Sequence, residues 1–248
     1  MTTPLTLAER LAGIRAKRGY LLPHHGLMAI TSPGLLEAYD AAYTQIALAD
    51  RVLNHHDREF VWLAILIATN EAIATHHVAK FRDAGGTEDE IEAVVAVAAL
   101  TLGFDSYRFV GANWLAHLPG CDPHAFYLRA LRKAAGDTPM RLVHMAAAAV
   151  FVCKAGWDAL SVQILAAYAD AVPELDLAEA LSLTMFPGSV PHFVGAARVW
   201  RELIVSGRIA RPSPAFLEWA QMSGQGGFDE VSKTLSPDAP STSRPSPT

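Results

Sequence analysis

The sequence is poor in cysteine, in basic charge and in long apolar runs. Only Cys121 and Cys153 occur in 248 residues, without a CxxC spacing, so we expect neither a disulfide framework nor a thiolate metal site. The formal net charge is -5 and no basic stripe is present, which argues against a nucleic-acid partner. The apolar run "FVWLAILIA" is far shorter than the roughly 20 residues of a membrane span. A small molecule is the expected partner, rather than nucleic acid or a membrane.

The N-terminal stretch "MTTPLTLAERLAGIRAKRGY" has no basic region followed by an apolar segment. A secretory signal needs both features in that order. The predicted location is therefore the cytoplasm.

Most segments between glycines and prolines are rich in Ala and Leu, and alternation of β-branched residues is rare. This pattern predicts an all-α fold. The predicted helices span residues 5–17, 34–51, 57–83, 88–103, 105–117, 122–135, 139–154, 156–171, 175–186, 190–206 and 213–221.

Two stretches carry sharp helix-boundary signals. In "AGGTEDEI", Gly85 fits a left-handed helix end, and Thr87 with Glu90 forms a capping box for the next helix. In "SPGLLEAY", Ser32 is the expected N-cap and Pro33 the first helical residue. These signals fix the beginnings of two helices.

The chain also shows signs of an internal repeat. "RFVGANWLAHL" at 108–118 resembles "HFVGAARVWREL" at 192–203, an offset of 84 residues. We predict two tandem related units, 1–118 and 119–222, followed by a disordered tail at 223–248 that is rich in Ser, Pro, Thr and Gly. Seven of the ten histidines lie in the first unit, so the site is expected there.

The segment "NEAIATHHVAKFRDAGG" places polar residues in an apolar setting. If it continues the preceding helix, Asn70 and His77 share one face and Lys80 lies close to it. His76 then points about 100° away, and Glu71 lies off both histidine faces. Adjacent histidines diverge too far to chelate one ion in the way of an i, i+4 pair, so no metal is expected.

The stretch from 57 to 109, "DREFVWLAILIATNEAIATHHVAKFRDAGGTEDEIEAVVAVAALTLGFDSYRF", resembles the carboxymuconolactone decarboxylase family, which includes thiol peroxidases of the alkylhydroperoxidase D type. The preceding "PGLLEAYDAAYTQIALADRVL" is similar more loosely, and the second half fits only the apolar skeleton. The residues on the family pattern are His77, Gly85, Thr87, Glu90, Ile91, Gly103 and Phe104. The resemblance implies an alkylhydroperoxidase D-like helical bundle and a homo-oligomer.

Two departures separate this chain from the family's branches. The peroxidase motif CxxCxxxH places cysteines where this chain has Asn70 and Ile73. The decarboxylase branch carries a Glu in the turn and a His, similar to Glu71 and His77, and a further His where this chain has Val97. The decarboxylase branch is therefore the nearer of the two.

The resemblance implies a cofactor-free lyase that acts on a small carboxylate or lactone. His77 is the predicted proton-transfer residue, because imidazole groups as a class can take or give a proton near neutral pH, and Glu71 is its predicted partner or orienting group. Arg58 is a possible carboxylate anchor, since its planar guanidinium suits that use. The predicted substrate-binding residues are Arg58, Asn70, His76, Lys80, Trp62 and Phe104, with Ile73 as a further wall of the pocket.

Three alternatives stay open. A lactone hydrolase or isomerase would use the same residues. A non-catalytic scaffold that binds a ligand or a partner would keep His77 without using it, in line with the missing His at Val97. A thiol-dependent peroxidase would need cysteines near His77, whereas Cys121 and Cys153 lie far away along the chain.

Overall fold

The structure is a computed structural model that describes residues 5–227. As predicted, the fold is all-α, with no strand among these residues. The α-helices, numbered α1 to α13 in chain order, are Leu7–Arg18, Pro23–Thr31, Pro33–Tyr43, His55–Thr69, His76–Asp83, Glu88–Leu102, Phe104–Asn113, Pro123–Ala135, Met140–Cys153, Trp157–Ala169, Glu174–Ser182, Val190–Val205 and Pro214–Gln221. Shorter helical turns follow three of them: the π turn Thr44–Leu48 and the 3₁₀ turns Leu115–His117 and Leu183–Met185.

Helix α9 forms the centre of the core. All residues from Leu142 to Cys153 are buried, because "LVHMAAAAVFVC" is apolar around almost the whole helix rather than along one stripe. Helices α4, α6, α10 and α11 pack around it. The four consecutive alanines at 146–149 keep the surface of α9 narrow, so the surrounding helices approach closely.

Helix α4 carries polar side chains into the core. Asn54 caps its start, since the Asn54 Oδ1 accepts a hydrogen bond from the backbone N–H of Asp57 at 2.8 Å. Every residue from Asp57 to Ile65 is buried, including Arg58 and Glu59. Buried charged groups are costly unless they have partners, so these two side chains call for an explanation.

The predicted helix-boundary signals are confirmed. Thr87 and Glu90 form the reciprocal capping box at the start of α6. Gly85 has φ 92°, in the left-handed region that glycine tolerates best. Ser32 Oγ accepts from the backbone N–H of Leu35 at the start of α3, and Pro33 is its first residue.

The single helix predicted at 57–83 is wrong, because the chain breaks into α4 and α5 with a loop at 70–75. Asn70 takes a left-handed conformation with φ 55°, which Asn adopts more readily than most residues. The side chain of Glu71 then accepts a hydrogen bond from the backbone N–H of Ile73 at 3.0 Å and favours the turn. Asn70, Ile73 and His77 therefore do not share a helical face.

Helix α2 is a second departure, since no helix is predicted between residues 17 and 34. It begins with Pro23, which suits the first helical position because proline has no N–H to leave unpaired. The backbone N–H of Leu22, one residue earlier, donates to Nδ1 of His25 at 3.1 Å. A prediction based on hydropathy alone does not detect a helix start that depends on a side-chain cap.

By compactness the chain divides into Met1–Ala196 and Ala197–Thr248, and the boundary falls inside α12. In the second of these units, the rings of Trp200 and Phe216 lie 5.0 Å apart. The predicted units 1–118 and 119–222 have a different boundary, and α4 and α9, one from each, pack directly together. The tandem duplication stays a prediction. The predicted disordered tail lies outside the described residues from position 228 onward.

One stretch, Glu88–Asn113, is long and apolar enough by length and composition to cross a membrane. It consists of α6 and α7, which meet at Gly103, and buried residues of α6 such as Val97 lie in the core where α6 packs on α9. A single stretch of this kind is weak evidence for a membrane span, and the finding is consistent with a soluble protein. The cytoplasmic location stays a prediction.

Candidate active site

A buried carboxylate and a buried histidine meet where α4 and α5 pack together. Oε2 of Glu59 lies 2.5 Å from Nδ1 of His77, and their side chains are 0% and 2% exposed. An ionised carboxylate only accepts hydrogen bonds, so Nδ1 of His77 is the donor in this pair. Among residues 5–227, Nε2 of His77 has no hydrogen-bond partner. The pair thus leaves one ring nitrogen of His77 able to bind or release a proton.

The indole of Trp62 holds the His77 ring in place. Trp62 lies one helical turn after Glu59 on α4, so both side chains face α5. Its ring stacks on the imidazole of His77, with centroids 4.7 Å apart and planes 25° apart. The hydrogen bond from one side and the aromatic face on the other fix the orientation of the imidazole.

A cavity of about 170 Å³ lies beside His77. Most of its wall is aromatic or basic, and it is built from α1, α2, α3, α4, the 70–77 segment and the turn before α12. The lining residues are Arg18, Tyr20, Leu22, His24, Tyr39, Tyr43, Trp62, Leu66, Glu71, Ala74, His76, His77, Phe186 and Pro187. The volume is smaller than the roughly 300–1,000 Å³ of drug-sized ligand sites, so it suits a small molecule.

His76 joins a chain of hydroxyl groups on the cavity wall. Its Nε2 lies 3.1 Å from the hydroxyl of Tyr20, which in turn lies 3.2 Å from the hydroxyl of Tyr43. Burial, together with the neighbouring His77 and Lys80, lowers the pKa of His76 to about 4. His76 is therefore neutral at pH 7.

Arg18 brings a buried cation to the wall. Its Nη2 is 2.6 Å from Oδ1 of Asp40, and its guanidinium carbon lies 4.3 Å from the centre of the Tyr43 ring. Nη1 of Arg18 lies 3.0 Å from Nε2 of His25. Burial, together with His24 and Arg18, lowers the pKa of His25 to about 4. The histidines around Arg18 therefore add no second positive charge at neutral pH.

The comparison with known proteins agrees with the resemblance noted in the sequence. Residues 33–117 match the model of the family described as "CMD: Carboxymuconolactone decarboxylase family". This match covers 85 of the 248 residues, and the matched segment is called the family domain below. No curated protein and no solved structure matches the chain.

The family domain contains only part of the cavity. It covers α3 to the turn after α7 and so includes Glu59, Trp62 and His77. Arg18, Tyr20 and the remaining wall residues of α1 and α2 precede it. The Glu59–His77 pair lies inside this segment, and six of the fourteen residues that line the cavity lie outside it.

Four of the predicted site residues line one cavity: His77, His76, Glu71 and Trp62. Although adjacent helical side chains point about 100° apart, His76 and His77 both line the cavity, and their rings at the start of α5 lie 4.3 Å apart. Glu71 is present as a wall residue, but it is not the carboxylate bonded to His77.

Four other predicted residues lie elsewhere. Asn70 is exposed at the end of α4, and Phe104 lines a separate cavity beside α9 and α10. Arg58 is 2% exposed and its Nη1 donates to the backbone oxygen of Ala49 at 2.6 Å, away from the cavity. Lys80 is not among the residues that line the cavity. Burial lowers its pKa, and the Glu59 carboxylate opposes that shift. Ile73, expected as a wall residue, is 61% exposed.

The sequence interpretation missed Glu59 and the whole N-terminal wall. Glu59 stands directly before the apolar run "FVWLAILIA", where a carboxylate becomes buried and needs a partner. The segment "KRGYLLPHHG" combines cations, an aromatic ring and histidines, and was a second available signal. The segment contacts α5 only in the folded protein, for example through Tyr20 and His76, and no fixed spacing in the sequence predicts such a contact.

The thiols lie away from His77. Neither Cys121 nor Cys153 is among the residues that line its cavity. Burial raises the pKa of the Cys153 thiol to about 12, so it is a weak nucleophile at neutral pH. The described geometry gives the peroxidase alternative no support.

Proposed function

We propose that this protein is a cofactor-free lyase of the carboxymuconolactone decarboxylase type, in which His77 transfers a proton to a small carboxylate or lactone substrate. The 2.5 Å contact between Glu59 and His77, at the edge of a small cavity, is the observation that carries the proposal. The family domain over residues 33–117 supports the same reaction class.

Glu59 acts on His77 in two ways. Its carboxylate fixes the proton on Nδ1, so Nε2 is the nitrogen that exchanges a proton with the substrate. It also stabilises the imidazolium form of His77, because opposite charges attract strongly where water is scarce. A histidine held in this way is suited to general acid–base catalysis, which contributes typically about 10²-fold to 10⁴-fold to a rate.

For a β-keto carboxylate, the bond between the carboxylate carbon and the α-carbon breaks and carbon dioxide leaves. The electron pair of that bond moves onto the substrate and forms an enolate. The imidazolium of His77 then gives its Nε2 proton to the α-carbon, and a proton from solvent restores the imidazolium. The step consumes one proton and needs no external oxidant or reductant.

The cavity wall suits an acidic, planar substrate. Arg18 supplies positive charge, although Asp40 offsets part of it. The rings of Tyr39 and Tyr43 lie 6.3 Å apart in a stacked arrangement and Phe186 packs against both, so one part of the wall is aromatic. A volume of about 170 Å³ accommodates a small ring or a short chain, rather than a cofactor-sized molecule.

The test is turnover of a panel of small β-keto acids and carboxylated lactones, with carbon dioxide release and product structure measured together. His77→Gln should lower turnover at least about 100-fold. His117→Gln is the matched control, since His117 is an exposed histidine in the same family domain. Products without carbon dioxide release would favour the lactone hydrolase or isomerase alternative. Binding without any turnover across the panel would favour the scaffold alternative.

A further inference from the structure

The Trp62 indole carries a buried hydrogen-bond donor without a partner. Its side chain is 2% exposed, and Nε1 has no hydrogen bond to any residue in 5–227. Leaving a buried N–H unpaired costs free energy, and native structures keep such groups rare. Trp62 is also one of the residues that line the cavity beside His77, so a ligand bound there could supply the missing acceptor.

The position of Trp62 relates this donor to the reacting atoms. The indole lines the same cavity as His77 and stacks on its imidazole at 4.7 Å. Because Trp62 lies three residues after Glu59 on α4, one rigid helix holds both the donor and the carboxylate that orients His77. A substrate atom that receives a proton from His77 therefore lies close to the Trp62 ring.

Apart from Nε2 of His77, the polar side chains on the wall already have partners. Arg18 is bonded to Asp40. The hydroxyl of Tyr20 is shared between Tyr43 and His76. Nε2 of His24 lies 3.0 Å from the hydroxyl of Tyr39, and Glu71 accepts from the backbone N–H of Ile73. The Trp62 N–H thus stands out as an uncommitted donor beside His77.

Indole is a donor only, so its partner must be an oxygen or nitrogen lone pair. We infer that Trp62 donates a hydrogen bond to the substrate oxygen on which negative charge develops, and so selects planar acids that pass through an enolate. This inference rests on the proposed proton transfer by His77. A donor fixed before the reaction stabilises developing charge without having to reorganise, which is the source of its catalytic value.

The test uses 4-nitrophenol as a planar oxyanion probe and needs no turnover. The ionised probe should bind to the wild-type protein, and Trp62→Phe should weaken that binding about tenfold or more, since phenylalanine keeps the ring and loses the N–H. Trp219→Phe is the control, because Trp219 is half-buried and does not line the cavity. Equal affinity of the wild type and Trp62→Phe would overturn the inference, as would failure of the wild type to bind the probe.

Absorbance of the bound probe gives an independent readout. Donation from Trp62 stabilises the phenolate, so the wild type should raise the ionised fraction of bound 4-nitrophenol relative to Trp62→Phe at the same pH. With ¹⁵N-labelled tryptophan, the indole N–H resonance that Trp62→Phe removes should move on adding the probe. A resonance that stays in place would contradict donation.

The experiments distinguish a failure of the Trp62 inference from a failure of the proposed lyase function. His77→Gln keeps the indole donor, so it should retain most of the binding of 4-nitrophenolate while it loses turnover. Probe binding that depends on Trp62, together with the absence of turnover in every protein, would uphold the donor and reject the lyase. Turnover that depends on His77 and is unchanged in Trp62→Phe would uphold the lyase and reject the donor.

Discussion

Oε2 of Glu59 and Nδ1 of His77 lie 2.5 Å apart, although the two residues belong to different helices. The contact exists because α4 ends at Thr69 and the chain turns at Asn70 before α5 begins. A continuous helix would have separated the two residues by about 27 Å along its axis, since they are 18 positions apart and each position adds about 1.5 Å. The break in the helix is therefore what creates the candidate site.

A first prediction concerns Arg141, which bridges two helices from α9. Its Nη1 lies 2.5 Å from Oδ2 of Asp57 and its Nε lies 2.5 Å from Oδ2 of Asp176. Arg141→Met should lower the free energy of unfolding by about 3 kcal/mol, because both buried carboxylates lose their counter-ion. Chemical denaturation measures this difference.

The control for Arg141 is Arg82→Met. Arg82 pairs with Glu88 at 2.7 Å, but both side chains are more than half exposed, so the change should cost at most about 1 kcal/mol. Equal effects of the two substitutions would show that the Arg141 bridge does not stabilise the core.

A second prediction is acid sensitivity through His76. Its pKa falls from 6.5 to about 4 on folding, so the folded protein binds fewer protons than the unfolded chain between these values. Its contribution to stability is present above pH 6.5 and is lost as the pH falls toward 4. His76→Gln keeps an acceptor for the Tyr20 hydroxyl and should flatten the dependence of the thermal midpoint on pH in this window.

His117→Gln serves as the control for the pH measurement, since His117 is exposed. It should follow the wild-type curve. A His76→Gln curve with the same slope as that of the wild type would rule out His76 as a source of the acid sensitivity.

A third prediction is self-association through the end of α7 and the turn after it. Phe109, Trp114, Leu115 and Leu118 are between 40% and 53% exposed, and such clustered apolar side chains are typical of interfaces. Sedimentation should give a species larger than the 26.7 kDa chain, and Phe109→Lys should shift it toward the monomer. Leu175→Lys on α11 is the control, and a monomeric wild type would contradict the prediction.

Much of the fold could be predicted from local signals. The Thr87 capping box, the Ser32 cap and the apolar circumference of α9 each act over a few residues, so the sequence displays them directly. The break at Asn70 could not be read in the same way, since it depends on one left-handed residue inside an apolar run. Helix α2 was missed for a similar reason, because its start depends on a side-chain cap by His25.

The part of the candidate site that is local in sequence could also be predicted. His77, His76, Trp62 and Glu71 lie close together in sequence, and all four line the cavity. Glu59 was missed because its role depends on how α5 folds back on α4. The N-terminal wall, including Arg18, depends on packing across more than forty residues of chain, which no spacing rule captures.

The most direct test of the account is a double-mutant cycle on Glu59 and His77, measured as kcat/KM with the best substrate from the panel. If the two act as one unit, Glu59→Gln and His77→Gln should each lower kcat/KM at least about 100-fold, and the double variant should lose little more than either single variant. Thermal midpoints of all three variants establish that they remain folded. A Glu59→Gln protein that is folded and retains wild-type kcat/KM would contradict the account.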